Sequence, residues 1–506
     1  MRKTLSIALC AANAAALAVM AALYAGGASR LGNALMLCCL AVLAADMLYA
    51  AFAKNRLGFW LIPAQAGLLL LSYFARQAAS NDFGSIDSVS ALNLAALLAM
   101  PLLAVAFLVL DLIGIGRKEL RLPKFLRLLQ WLLPPVLLVG LFTFALFGFD
   151  HVYNYGYSYH EYTTTRGDFL FLAMIFAVSC LFLRQFLRER QGEWRDYLKR
   201  NVAVLTVFAA LAGFGTACFL RGYTSLQSDV AAAEADYRAM FGESSRDFQG
   251  GRAVPLSVPG LFFGVRNGEG YEVTRDVVYR TVESGDFAGL RLAYDAYLPT
   301  DPDAHRSVVV MLHGSGGDKS EGNKLHLNKY LADKGYAVYD LQVGDFNEKN
   351  TNYPQGIDRD WDFMLESIDV FFAHATQHES ANANFDSVFL VGSSMGGFLL
   401  TDYAYNYGNT YREHGVRIRG LVPLYGVSSG PIDENSPPVL IYTGDHDGYI
   451  NLGEVYGLRE EYRQAGNRNA IALTVSFGGH GCDSQFSCRG AQLELYYLER
   501  FLGKLK

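Results

Sequence analysis

The sequence predicts a polytopic α-helical membrane domain of about seven spans, followed by an α/β domain with a mostly parallel sheet. Three observations carry this prediction. Apolar runs near twenty residues long succeed one another from Thr4 to about Gly222, the length a helix needs to cross roughly 30 Å of hydrocarbon. Such runs stop after Gly222, and a stretch rich in Gly, Ser and Pro follows. From Tyr271 onward, short β-branched runs alternate with helical stretches, as in a sheet covered on both faces. With 506 residues and 51% hydrophobic content the chain holds two or three domains, one of them built for lipid. The net charge of -6 is small and no basic aromatic stripe is present, so nucleic acid is set aside as a partner in favour of the lipid bilayer.

The spans are read as about Thr4 to Tyr24, Leu31 to Phe52, Leu57 to Phe74, Val89 to Leu112, Phe125 to Phe149, Phe169 to Leu187 and Val202 to Leu220. Short-loop Lys and Arg set their orientation, because cytoplasmic loops retain positive charge. One set of segments carries Arg2 and Lys3, Lys54 and Arg56, the five basic residues from Arg117 to Arg127, and the six from Arg184 to Arg200; the other offers only Arg30, Arg76 and Arg166. The N-terminus is therefore expected in the cytoplasm and the C-terminal domain outside, which in a bacterium is the periplasm or cell surface. A cleaved signal peptide over the first span is the alternative, on the basic start and the small residues Ala22 to Ala28. Cleavage would not move the later domain. Asp46, Asn93 and Asp111 are the notable polar residues within spans and are read as structural. The outer loop from His151 to Asp168 gathers Tyr153, Tyr155, Tyr157, Tyr159 and Tyr162, an interfacial belt or a stacking surface for a headgroup or sugar.

The domains are divided at 1–222, 223–270 and 271–506. In the join, Ser228 to Phe241 has the Ala and Glu content of a short helix, and Gly242 to Gly270 reads as a linker. Within that linker Val254 to Val265 is apolar, but Pro255, Pro259 and Gly260 argue against a helix.

In the C-terminal half the expected strands are Val277 to Tyr279, Arg291 to Tyr297, Ser307 to Leu312, Ala337 to Gln342, Ser387 to Val391, Gly420 to Leu424, Val439 to Thr443 and Ala472 to Phe477. Helices are expected near Asn323 to Lys334, Ile357 to Thr376, Gly396 to Tyr407, Gly453 to Gln464 and Arg489 to Leu502. The strongest motif is Gly392-Ser393-Ser394-Met395-Gly396, G-x-S-x-G after an apolar strand and before a helix-compatible segment. Such a tight strand-to-helix turn needs small residues two before and two after the nucleophile, which fixes Ser394; Ser393 would have Val391 in that position. A serine hydroxyl needs a base, and the base a carboxylate. Asp447, in Gly444-Asp-His-Asp-Gly448, follows a strand and is preferred to Asp445 as the acid. His480, in Phe477-Gly-Gly-His-Gly, follows the last strand and is preferred to His446 and His313 as the base. The glycine-rich loop His313-Gly314-Ser315-Gly316-Gly317 ends another strand, so Gly314, Ser315, Gly316 and Met395 are the expected oxyanion donors. The Walker pattern is absent.

These residues, with Arg275-Asp-Val-Val-Tyr279 and Tyr294-Asp-Ala-Tyr-Leu-Pro299, resemble α/β-hydrolases of the carboxylesterase and dienelactone-hydrolase type, with kinship to prolyl-oligopeptidase catalytic domains. The resemblance covers about Tyr271 to Lys506; the membrane half resembles no family. It implies an α/β-hydrolase fold and acyl transfer to water through an acyl-enzyme, with no cofactor and no metal. The chain departs from the pattern at Ser315, which replaces a glycine of the usual H-G-G-G run. No long insertion lies between Val422 and Val439, where many lipases carry a cap, and an open cleft suits a large or surface-attached substrate. The expected function is a membrane-anchored extracytoplasmic serine esterase or deacylase acting on an acyl ester of an envelope glycan or lipid. The alternatives are an acyltransferase that acylates a cell-surface sugar with the same triad, or a serine peptidase. Of seven cysteines only Cys482 and Cys488 lie in the exported domain, and a disulfide between them is expected there.

Overall fold

The computed structural model describes residues 2–25, 29–53, 55, 57–80, 86–115, 139–140, 142, 161–189, 194–265, 268–285, 287–315, 317–319, 322–344, 361–407, 410–484 and 486–506. The N-terminal half is helical: α1 Arg2–Ala25, α2 Arg30–Phe52, α3 Gly58–Ser80, α4 Ile86–Leu112, α5 Glu161–Glu189 and α6 Trp194–Phe241. Stretches of the first four, Arg2–Ala25, Arg30–Phe52, Gly58–Arg76 and Ser90–Leu112, are long and apolar enough to cross a membrane. The expected sixth and seventh spans correspond to shorter apolar stretches, Leu172–Leu187 and Val202–Phe214. Nearly all of the expected fifth span, and most of the tyrosine-rich loop, lie outside the described residues.

Polar contacts sort the helix ends into two groups. At one end the Arg2 guanidinium and the Tyr49 hydroxyl donate to Asp111, each at 2.7 Å. Arg184 reaches the carbonyls of Ala50, Ala53 and Asn55 there as well. Asp111 therefore has partners that its sequence neighbourhood did not reveal. Asp46 is buried one step further in, where the Asn13 amide donates to it at 2.9 Å. At the opposite end sits a short helix, α7 (Val258–Phe263), buried among α1 to α5. Asn33 donates to the Leu256 carbonyl at 2.8 Å and accepts the Val258 N–H at 2.7 Å, while Asn93 donates to the Phe262 carbonyl at 2.9 Å. This helix was not expected. Its proline explains why it forms: Pro259 lies in the first turn, where a proline has no N–H to lose, and the Ser257 hydroxyl caps it by accepting from Gly260.

A second correction concerns the join. Where a span and a separate juxtamembrane helix were expected, α6 runs unbroken for 48 residues. The apolar face ends, but the Ala- and Glu-rich continuation favours helix by propensity alone.

The C-terminal half is an eight-stranded sheet: β1 Tyr271–Thr281, β2 Arg291–Pro299, β3 Ser307–Leu312, β4 Ala337–Leu341, β5 Asn384–Ser393, β6 Ile418–Leu424, β7 Val439–Gly444 and β8 Ala470–Val475. Its spatial order is β1-β2-β4-β3-β5-β6-β7-β8. Strand β2 pairs antiparallel with both neighbours, and β4 through β8 pair parallel. Strands β3 to β8 are almost wholly buried, as parallel strands covered on both faces must be. Helices α8 (Gly322–Asp333), α9 (Trp361–His378), α10 (Met395–Asn406), α11 (Leu452–Gln464) and α12 (Arg489–Leu505) complete the layers close to their expected positions.

Helix α6 closes the β8 edge. The Asp236 carboxylate accepts the Ala472 N–H at 3.2 Å, and Asp229 accepts from Ser476 at both its N–H (3.0 Å) and its hydroxyl (2.6 Å). Arg489 donates to the Gly222 carbonyl at 2.9 Å. Replacing Asp229 by Ala leaves the part-buried N–H and hydroxyl of Ser476 without their acceptor, and should destabilise the C-terminal half by about 1–3 kcal/mol. A lower thermal unfolding midpoint in detergent is the expected readout; an unchanged midpoint contradicts this role.

Candidate active site

Strands β3, β5 and β6 end in register, with Leu312 opposite Gly392 and Gly392 opposite Pro423. The chain therefore turns from β5 into α10 at the C-terminal end of the parallel strands, and Ser394 takes φ 52° and ψ -116° to make that turn. Its N–H donates to the Leu424 carbonyl at 2.8 Å. Side chains are excluded on both sides: a Cβ on Gly392 would lie 2.3 Å from the Gly396 carbonyl oxygen, and one on Gly396 would lie 2.4 Å from that of Leu312. The glycines that flagged the motif are thus demanded by backbone packed against backbone.

The structure brings Ser394, His480 and Asp447 together. His480 Nε2 lies 2.9 Å from Ser394 Oγ, and its Nδ1 lies 2.8 Å from Asp447 Oδ2. Asp447 is fixed through its other oxygen, which accepts the N–H groups of Tyr449 at 2.8 Å and Ile450 at 3.0 Å. His480 and Asp447 are buried, whereas Ser394 is partly open. Asp445 does something else: it accepts from the Phe477 N–H and from His446, holding the turn that leads to His480. His313 is buried with Nδ1 3.0 Å from the Gly314 carbonyl.

Of the expected oxyanion donors, Gly314 lies beside Ser394, since a Cβ there would come 3.4 Å from that of Ser394. Met395 opens α10, and the first N–H groups of a helix have no carbonyl partner within it. Ser315 is exposed on the same loop, and Gly316 lies outside the described residues. The loop is pinned from behind by Lys319, whose ammonium donates to Asp276 at 2.6 Å and to the fully buried Asp295 at 2.7 Å.

Sequence reasoning missed the layer that supports the histidine. Tyr425 leaves β6 at φ 43°, and its ring stands edge-on to that of His480 with centroids 4.9 Å apart. Behind it the Lys324 ammonium donates to Asp483 at 2.7 Å and lies 5.7 Å from the Tyr425 ring centre. Glu494 completes this buried group. Burial, then the Asp483 charge, push the Glu494 carboxyl well above the usual range. Lys324 is held above its ordinary value: burial works against the charge, but Asp483 and Glu494 outweigh it. Asp483 stands three residues past His480, but nothing local in the sequence marks it as buried or points to Lys324.

The expected disulfide is overturned. Cys482 and Cys488 are two thiols. Cys482 Sγ lies 3.0 Å from the Tyr442 hydroxyl, and Cys488 Sγ accepts the Ala491 N–H at 3.4 Å as the cap of α12. Each sulfur makes a local contact instead.

The strand order and the strand-to-helix turn at Ser394 define an α/β-hydrolase domain. A family model, the Dienelactone hydrolase family, matches residues 294–478, and the C-terminal half thus contains a dienelactone hydrolase family domain. No curated protein sequence matches the chain. Similar solved structures include a truncated carbohydrate esterase from gut microbiota, at 16% identity and a TM-score of 0.36, which covers 47% of this chain and 98% of its own. Esterase 2 of Thermogutta terrifontis matches at 16% identity and a TM-score of 0.34, over 46% of this chain and 91% of its own. MGS-M1, an α/β-hydrolase enzyme from a deep-sea metagenome library, matches at 17% and 0.35, over 47% and 99%.

Two measurements check this site. Asp483→Asn strips the Lys324 ammonium of its 2.7 Å partner and should cost about 3–5 kcal/mol, whereas Glu494→Gln, which removes a carboxyl whose charged form burial disfavours, should not destabilise at pH 7. A folded pKa raised above the ordinary carboxyl value of 4.5 contributes stability that is present below that pH and lost as pH rises through the folded pKa, so wild type should lose ground to Glu494→Gln from about pH 4.5 upward. Equal costs for the two variants at pH 7 would refute the assignment. Denatured, unreduced protein should also take up alkylating reagent at both Cys482 and Cys488, and a mass consistent with a bridged peptide would contradict the two-thiol arrangement.

Proposed function

We propose that this chain is a membrane-anchored serine hydrolase that cleaves carboxylic esters through an acyl-enzyme, with its catalytic domain on the side away from the cytoplasm. The observation that carries the reading is the continuous chain of contacts from Ser394 Oγ through His480 to Asp447, 2.9 Å and 2.8 Å long. His480 Nε2 takes the hydroxyl proton as Ser394 Oγ attacks the ester carbonyl, and Asp447 holds the ring so that Nε2 faces the serine. The oxyanion meets N–H groups at Met395 and in the loop from Gly314. The alcohol leaves with the proton from His480; water, deprotonated by the same nitrogen, then releases the acid and restores the serine. The reaction as written uses only protein groups and water.

Four helices with the length and apolarity of spans support the anchor. The side is supported by position, since the hydrolase half docks at the α7 end of the bundle and Arg2 and Arg184 lie at the other.

Ser394→Ala should abolish labelling by a fluorophosphonate probe, and Ser393→Ala should retain it; persistent labelling of the Ser394 variant sinks the reading. Asp447→Asn should lower ester turnover by something on the order of 10⁴-fold, and Asp445→Asn far less. The reverse ranking would move the acid to Asp445.

A further inference from the structure

We infer that the ester is cleaved at the bilayer surface: the carbonyl attacked by Ser394 belongs to a lipid held in the leaflet on the hydrolase side. This rests on the serine-hydrolase reading and adds the substrate class. Helix α6 runs along β8 in a direction that decides where the strands end. Asp236 meets Ala472 early in β8, and Asp229, seven residues nearer the start of the helix, meets Ser476 just past the end of the strand. Nearer still to the start of the helix, Gly222 is bound by Arg489, and the Arg221 guanidinium lies 4.7 Å from the centre of the Phe477 ring. Helix and strand are therefore antiparallel. Because β4 through β8 are parallel, all their C-terminal ends point back toward the apolar stretch Val202 to Leu220. Those ends carry Ser394, Asp447 and His480.

The depth follows from helix geometry. At about 1.5 Å per residue, Asp229 lies only about 13 Å along the helix from Leu220. Phe477, three residues before His480, is at the level of Arg221, the first residue after the apolar run. Val202, Val204, Val207 and Leu220 on this part of α6 are exposed, as residues facing lipid would be. The catalytic end of the sheet thus starts within about one headgroup layer of the hydrocarbon.

A second tie meets the same end. Gln492, in the first turn of α12, accepts the Ser257 N–H at 2.7 Å and donates to the Ser487 carbonyl at 3.0 Å, joining the loop after His480 to the segment that enters the bundle as α7. Tyr449, 62% exposed, lies with its ring 5.0 Å from that of His480, an aromatic rim suited to a membrane interface. The ester carbonyls of a lipid lie at this level. In the step, a bond forms between Ser394 Oγ and the acyl carbon, the ester C–O bond breaks, and the deacylated lipid leaves as an alcohol with the proton held by His480. Water then releases the acyl chain as a carboxylic acid.

The test uses the full chain reconstituted in vesicles of ether-linked phospholipid doped with a fluorogenic acyl-ester lipid, beside a water-soluble short-chain ester. Turnover of the lipid ester should fall in proportion to its surface mole fraction when ether lipid is added at constant bulk concentration. Asn33→Ala combined with Asn93→Ala, which releases α7, should lower lipid-ester turnover about tenfold or more through misplacement, while hydrolysis of the soluble ester persists. Cleavage of the soluble ester with an inert lipid ester, or lipid-ester turnover indifferent to surface dilution, overturns the inference and leaves the hydrolase reading standing. Both esters inert, with no fluorophosphonate label at Ser394, overturns the hydrolase reading itself.

Discussion

The backbone at Ser394 is the constraint on which the hydrolase half depends. A non-glycine residue at φ 52° and ψ -116° stores strain of order 1–3 kcal/mol, and such strain persists only where its surroundings leave no alternative. Here the surroundings are three strands ending in register, so that the carbonyls of Leu312 and His313 press on Gly396 and the Gly396 carbonyl presses on Gly392. The turn cannot relax without prising α10 off the sheet. The serine hydroxyl is held out toward solvent, the histidine loop arrives from β8, and the acid arrives from β7.

Positioning the histidine needs more than its triad partner. Its ring is packed by Tyr425 on one side and Tyr449 on another, and Tyr425 is backed by the buried Lys324, Asp483 and Glu494. Three ionisable groups in one buried pocket cannot all be charged without penalty. Burial and the Asp483 charge disfavour the charged form of Glu494, and the close ion pair is Lys324 with Asp483 at 2.7 Å. The same device recurs on the oxyanion side, where Lys319 binds the buried Asp295. Both lysines lie beyond β3, so one stretch of chain links the oxyanion loop to the sheet and to the base.

What could be read from the sequence was what chemistry enforces locally. The glycines around Ser394 announce a turn that admits no Cβ, and the eight strands announce themselves by β-branched runs, with boundaries shifted by a few residues. The acid was separable from Asp445 only by spacing, and the structure gives the two acids different partners. The long-range pairs were not legible: Lys324 and Asp483 lie 159 residues apart, and nothing local says that their elements meet. The misreadings have the same origin. Pro259 reads as a breaker unless one knows that it falls in the first turn, a change from apolar to polar reads as a helix end though propensity carries α6 onward, and the spacing of Cys482 and Cys488 says nothing of the groups that already occupy their sulfurs.

The join between the halves then takes on a meaning that a linker would not have. Flexible chain would let a catalytic domain sample every orientation above a membrane. Instead, α6 enters the hydrolase half as a structural edge, with carboxylates at Asp229 and Asp236 satisfying the N–H groups of Ser476 and Ala472. The segment after it passes along α12 and returns to the bundle as α7, whose carbonyls and N–H groups are bound by Asn33 and Asn93. Two rigid connections leave a body little freedom to rotate about either one. The direction in which the strands end is therefore fixed relative to the bundle by the packing of α6 and α7, and Ser394, Asp447 and His480, carried at those ends, take their orientation from the same contacts.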